Sequence, residues 1–180
     1  GAGAASFPAG GTSYGSATWP VDYGSGGGPA YYNRGIIANT GGNGGGRLHL
    51  SILGDLEMNG LITANGNNGV VQHGVSGGGG SGGSILIEAN TMSGQGTIRA
   101  NGGGPISAAG GGGAGGRLAV HLMQNITNFD TIPSLTTTTE TFGGFLANGK
   151  CGGGASGTIF YRYGVWTVLR IDNNNSPAAD

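Results

Sequence analysis

Two short phrases recur in alternation along this chain, and self-similarity of this kind usually means stacked structural units. The first phrase reads Gly60-Leu-Ile-Thr-Ala-Asn-Gly66, Gly96-Thr-Ile-Arg-Ala-Asn-Gly102 and Gly143-Gly-Phe-Leu-Ala-Asn-Gly149, with a partial copy at Ile36-Ile-Ala-Asn39. The second reads Gly46-Arg-Leu-His-Leu-Ser-Ile52, Gly83-Ser-Ile-Leu-Ile-Glu-Ala89, Gly116-Arg-Leu-Ala-Val-His-Leu122 and Gly157-Thr-Ile-Phe-Tyr-Arg-Tyr163. Glycine-rich runs separate the two.

Aligned with one another, the second phrases give columns with period-two chemistry. Leu48, Ile85, Leu118 and Ile159 share one column; Leu50, Ile87, Val120 and Tyr161 share the next; Ile52, Ala89, Leu122 and Tyr163 complete the set. Side chains two residues apart lie on one face of a strand, so these columns predict strands with one face on a core. The opposite face carries Arg47/Ser84/Arg117/Thr158 and Ser51/Glu88/His121/Arg162, which is mostly polar. The Ala-Asn-Gly phrase supplies a second strand, placing Ile62, Ile98 and Phe145 in register and reading Asn-Gly as a turn. Repeat spacings are loose, and the insertion Gln124–Phe142 holds the run Thr136–Thr139. The threonines alternate faces there, so they make no ladder; an O-glycosylated patch or an exposed loop suits them.

These features predict an all-β fold, an irregular right-handed parallel β-helix of about four coils, in which variable loops leave a fixed ladder. The glycine runs Gly77–Gly83 and Gly110–Gly116 have two readings. They are loops, or they are polyproline-II-like strands packed closely for want of Cβ atoms, with backbone groups paired between layers. Residues 1–34 form an aromatic cap or arm, 35–171 the repeat domain and 172–180 a tail or linker. The aromatics Trp19, Tyr23, Tyr31 and Tyr32 before the repeats, and Trp166 near their end, are candidate subunit contacts. A start at Gly-Ala-Gly-Ala, without Met, reads as a processed chain or a piece of a longer one.

Composition narrows the function classes. The 180 residues include 45 glycines and carry a net charge of −1 with no basic tract, which gives nothing to attract nucleic acid. No segment reaches the roughly 18 apolar residues of a membrane span. The single cysteine, Cys151, precludes an internal disulfide and is a candidate intermolecular thiol. Asn125-Ile-Thr127 and Asn174-Asn-Ser176 are candidate N-glycosylation acceptors, the second weakened by Pro177; with the low charge they favour an extracellular or cell-surface location.

Signals for chemistry are weak. Gly144-Phe-Leu-Ala-Asn-Gly149-Lys150-Cys151 approaches a phosphate loop, but cysteine stands where a hydroxyl must reach magnesium, and the phrase is itself a repeat. The glycine runs lack the aspartates of calcium-binding repeats. His49, His73 and His121 lack metal-ligand spacing and read as solvated. Asp55 and Glu57 are the one close carboxylate pair, without a basic cluster to hold an acidic sugar. No catalytic residue, cofactor or metal is expected.

The phrases Gly79–Ala89 and Gly96–Gly102, with Gly115-Gly-Arg-Leu-Ala-Val-His121, Gly157–Tyr161 and Leu169-Arg-Ile-Asp-Asn173, resemble a known class of repeats. These are the glycine-rich, β-helix-like segments of large secreted adhesin-type and filament-forming surface proteins, and the resemblance covers about residues 35–173. It implies an extracellular structural or adhesive role and brings no catalytic residues. The expected function is therefore a non-enzymatic structural protein that self-assembles into a fibre or surface layer. Its partners would be copies of itself. The alternative is an adhesin or carbohydrate-binding module whose loops meet surface glycans.

Overall fold

The computed structural model describes residues 11–32, 36–107, 110–124, 137–145 and 153–172, with the side chains of 31, 32, 36–39 and 172 outside that description. Among the described residues there are strands and no helix. The strands are β1 (Ala30–Tyr32), β2 (Ile36–Asn39), β3 (Arg47–Ser51), β4 (Leu56–Glu57), β5 (Leu61–Thr63), β6 (Val71–Gln72) and β7 (Val75–Ser76). They continue as β8 (Ser84–Ala89), β9 (Met92–Ser93), β10 (Thr97–Arg99), β11 (Arg117–Leu122), β12 (Thr138–Glu140), β13 (Gly157–Tyr163) and β14 (Trp166–Asp172).

The expected right-handed parallel β-helix does not form. The strands divide among five small sheets, some parallel and some antiparallel, and no closed solenoid encloses them among the described residues. The largest sheet has the order β14-β13-β11-β8-β3, the next β12-β10-β5, and β1–β2, β4–β9 and β6–β7 are two-stranded. Antiparallel pairing enters at β1–β2, β6–β7 and β13–β14, where the chain doubles back on itself. Two of these reversals are tight hairpins. His73 (φ 51°) and Gly74 (φ 79°) turn β6 into β7, both left-handed as a type I′ turn requires. Gly164 (φ 57°) opens the two-residue turn from β13 to β14, which returns the chain along the sheet.

The aligned columns nevertheless pair residue for residue. Leu48 lies beside Ile85, Ile85 beside Leu118 and Leu118 beside Ile159; Leu50, Ile87, Val120 and Tyr161 do the same. Their inner faces form the main core with Ile98, Ala64, Ala100, Met58 and Met92. The first-phrase strands pair only in part. Ile62 meets Ile98 as expected, but the third place in that column is taken by Thr139 rather than Phe145. Thr138 and Thr139 of the threonine run thus lie in a strand of the parallel sheet, and Thr137 and Thr139 are buried, where an exposed loop was one expectation.

Asn-Gly is not a turn at the two described full copies, since neither Asn65-Gly66 nor Asn101-Gly102 is left-handed. The asparagine side chains instead bind the next layer: Asn65 Oδ1 accepts the Asn101 N–H at 2.8 Å, and Asn101 Oδ1 accepts the N–H of Phe142, just after β12, at 3.1 Å. That ladder accounts for Asn65 and Asn101; Asn148 lies outside the described residues.

The glycine runs are not loops. Residues 76–83 are all buried. Gly77, Gly80 and Gly83 donate to the carbonyls of Val70, Asn67 and Ala64; Gly78 and Ser81 to Gly28 and Ser25; Gly79 and Gly82 to Gly111 and Ala114, all at 2.8–3.0 Å. Successive N–H groups therefore point to three different neighbouring segments, with a period of three, as a chain winding three residues per turn presents them. A Cβ on Gly79 would fall on the Gly103 carbonyl oxygen and one on Gly82 on that of Ala100, so side chains would push the runs apart. Backbone hydrogen bonds replace side-chain packing in this layer, and every N–H from Gly77 to Gly83 is paired.

Candidate functional site

The outer face of the five-stranded sheet holds a polar and aromatic cluster. Sequence places His49, Glu88, His121 and Arg162 there, and the register sets them on neighbouring strands. His49 Nε2 lies 2.8 Å from Glu88 Oε2. The face is not wholly polar, because Leu86, Ala119 and Phe160 fill the row between the two polar columns as a second small core.

The segment 11–23 lies over this face. The Trp19 indole meets His49 edge-on (ring centres 6.0 Å) and His121 at a tilt (5.5 Å), while His121 meets the Phe160 ring edge-on at 5.8 Å. His121 Nε2–H donates to the Thr18 carbonyl at 2.8 Å. Arg117 sits over the Tyr14 ring at 5.9 Å, a cation–π contact. The Tyr14 hydroxyl donates to the Tyr23 carbonyl at 2.8 Å.

His121 is therefore only 5% exposed, not solvated as its outward position led one to expect. Its neutral Nδ1 is buried without a hydrogen-bond partner among the described residues. Burial first, and the Arg162 charge second, push its pKa below the usual 6.5, against the opposing pull of the Thr18 carbonyl and Glu88. The sequence signal for this cover was Trp19 itself, a large aromatic with no place in a column.

The candidate contact residues fall in different places. Trp19 stays 45% exposed on its outer side, and Tyr23 is 68% exposed. Tyr31 and Tyr32 lie in β1, paired with Ile37 and Ile36, and their side chains are outside the described residues. Trp166 opens β14 opposite Tyr163 and is 38% exposed. Asn125, Asn174 and Cys151 lie outside the described residues, as does most of the phosphate-loop-like phrase.

The two ends of the five-stranded sheet were not singled out as sites by sequence. β14 is the terminal strand at one end and β3 at the other; no strand pairs with their outer edges among the described residues. Val165, Leu169 and Ile171 are exposed at the β14 end. A long, apolar, unprotected edge is a template for another strand.

The carboxylate pair does not converge. Asp55 accepts hydrogen bonds from Thr91 (2.7 Å) and Asn90 (3.1 Å), while Glu57 accepts one from Asn59 at 2.7 Å. The Thr91 hydroxyl, then Asn90, hold the Asp55 carboxyl below the usual carboxylate range. Among the described residues no group of three or more His, Cys, Asp or Glu is placed to hold a metal ion. No helix among them is long and apolar enough to cross a membrane. A surface depression of about 410 Å³ lies where glycine runs emerge, lined by Asn68, Pro105, Ile106, Phe142 and Phe145 among others. Comparison with protein-family models, with curated proteins and with solved structures finds no match.

Proposed function

We propose that this chain is a non-enzymatic extracellular structural protein that self-assembles into a fibre or surface layer. The observation that carries this reading is the pair of sheet ends that have no partner strand among the described residues, above all the β14 edge with exposed Leu169 and Ile171. Natural sheets protect such edges with charge, proline or a covering segment. β14 has Arg170 as its one charged residue before its last position and contains no proline. The Asp55 carboxyl, held ionised by its hydrogen bonds, is ill suited to act as a general acid, which counts against carbohydrate hydrolysis.

Sedimentation velocity across a concentration series tests the assembly. Association that grows with concentration and is lost in Leu169→Lys supports it; a monomer at every concentration overturns it. Antibody labelling of intact against permeabilised source cells tests the location, with labelling of intact cells expected.

The depression beside Phe145 favours a second reading, a glycan-binding module. A glycan array on which the parent binds and Phe145→Ala does not would select it; an array without hits removes it.

A further inference from the structure

The two ends of the five-stranded sheet, which have no partner strand among the described residues, match each other. We propose that β14 of one copy receives β3 of the next, antiparallel and in the register that continues the core columns, so that copies add head to tail. This inference rests on the self-assembly reading and names its contact.

Burial along the columns points to what is missing at the ends. Ile85, Ile87, Leu118, Val120 and Ile159 in the middle of the sheet are fully buried. The members at the β3 end, Leu48, Leu50 and Ile52, are only half-buried, and at the β14 end Val168 is half-buried and Trp166 exposed. One further strand at either end would complete the burial of those residues.

The register follows from the pairing already present. β14 pairs with β13 so that Val168 lies beside Tyr161 and Trp166 beside Tyr163. Tyr161 belongs to the column of Leu50, and Tyr163 to that of Ile52. Repeating the sheet by one copy therefore sets Leu50 of the next copy beside Val168, and Ile52 beside Trp166. Ser51 then falls beside Thr167 on the outer face, and His49 beside Leu169. Arg170 falls beside Leu48, where its aliphatic stem can cover the leucine while its head reaches water.

The competing contact is a two-fold pairing of β14 with itself. Centred on Leu169, the register that uses the whole strand, it sets Trp166 across from Asp172 and Val168 across from Arg170. Each apolar core-side residue then faces a charge, which forfeits its burial. Head-to-tail contact keeps most of the columns apolar, and because such contacts do not close on themselves they build filaments.

Cysteine cross-linking separates these geometries. In a Cys151→Ser background, shown by sedimentation to associate like the parent, Ser51→Cys and Thr167→Cys are made singly and mixed under mild oxidation. The proposal expects a mixed disulfide dimer between the two variants and little homodimer of either. The double variant should give a ladder of covalent multimers, since the two positions in one chain stand about 19 Å apart across four strand spacings and cannot close internally. Leu169→Cys, the position that faces itself in the two-fold pairing, is made as a third single variant; its efficient homodimer without the mixed species would overturn the head-to-tail register while leaving self-assembly standing. No cross-link in any sample, together with a monomeric parent at all concentrations, would overturn both.

Discussion

Adjacent glycines Gly45 and Gly46 should respond in opposite ways to alanine. Gly45 is buried; its N–H donates to the Ser81 carbonyl at 2.8 Å and its own carbonyl accepts the Gly24 N–H at 2.9 Å. A Cβ there would fall on the Ala64 carbonyl oxygen, itself the acceptor of the Gly83 N–H. The obstacle is backbone, which cannot rotate away as a side chain can. Gly46 is exposed, and a Cβ on it meets nothing within 4 Å. For Gly45→Ala, overpacking costs about 1–3 kcal/mol, and weakening two backbone hydrogen bonds adds about 1 kcal/mol each, so about 3–5 kcal/mol together. In a chain of this size that lowers the thermal midpoint by about 6–20 °C. Gly46→Ala should be neutral or stabilising by up to about 1 kcal/mol, because alanine restricts the unfolded chain. Thermal unfolding followed by circular dichroism measures both. Midpoints that agree within about 2 °C would refute the close backbone packing on which this account of the glycine layer depends.

Other perturbations read other parts of the structure. Asn101→Leu removes the acceptor of the Phe142 N–H and the donor to Glu140, and should destabilise by about 1–3 kcal/mol in denaturant titration. Asn65→Leu, nearer the surface, should cost less, and equal costs would count against the ladder. Because the folded pKa of His121 lies below 6.5, its contribution to stability is present above that pH and is lost as pH falls through the folded value. The titratable and charged groups that face it are Arg162 and Glu88 on the sheet, with His49 bonded to Glu88 and sharing the Trp19 ring. Lowering pH from about 7.5 to about 5 should reduce the thermal midpoint of the parent more than that of His121→Gln; parallel curves would contradict the buried neutral imidazole.

Period-two chemistry made the strand columns legible, because a one-residue slip would have turned Ile85 and Ile87 outward and Ser84 and Glu88 inward. The third Ala-Asn-Gly copy misled because composition alone does not order strands. Thr139 occupies the column through its neighbours, with its hydroxyl 2.8 Å from that of Tyr161, a pairing across 22 residues that leaves no local pattern. The glycine layer was legible only as one of two alternatives, loops or closely packed polyproline-II-like strands, for a related reason. A run without side chains carries no periodicity, so the three-way pattern of its N–H groups is visible only once its neighbours are in place. Asn-Gly was misread because its propensity for turns yields to the hydrogen bonds it makes with the next copy. His121 was placed on the correct face, yet nothing local in the sequence tells that Trp19, about a hundred residues earlier, covers it. Of the candidate site, the outer cluster could be foreseen in part. The sheet ends could not, because an edge is defined by the strand that is absent.

The most direct test of end-to-end assembly is electron microscopy of the concentrated protein, with the axial repeat measured along any filament. Five strands per copy at the usual spacing predict a rise of about 24 Å per subunit, with a reflection near 4.8 Å along the fibre axis. Filaments with that repeat would support the account. A field of dispersed monomers, or of closed two-fold dimers, would contradict it.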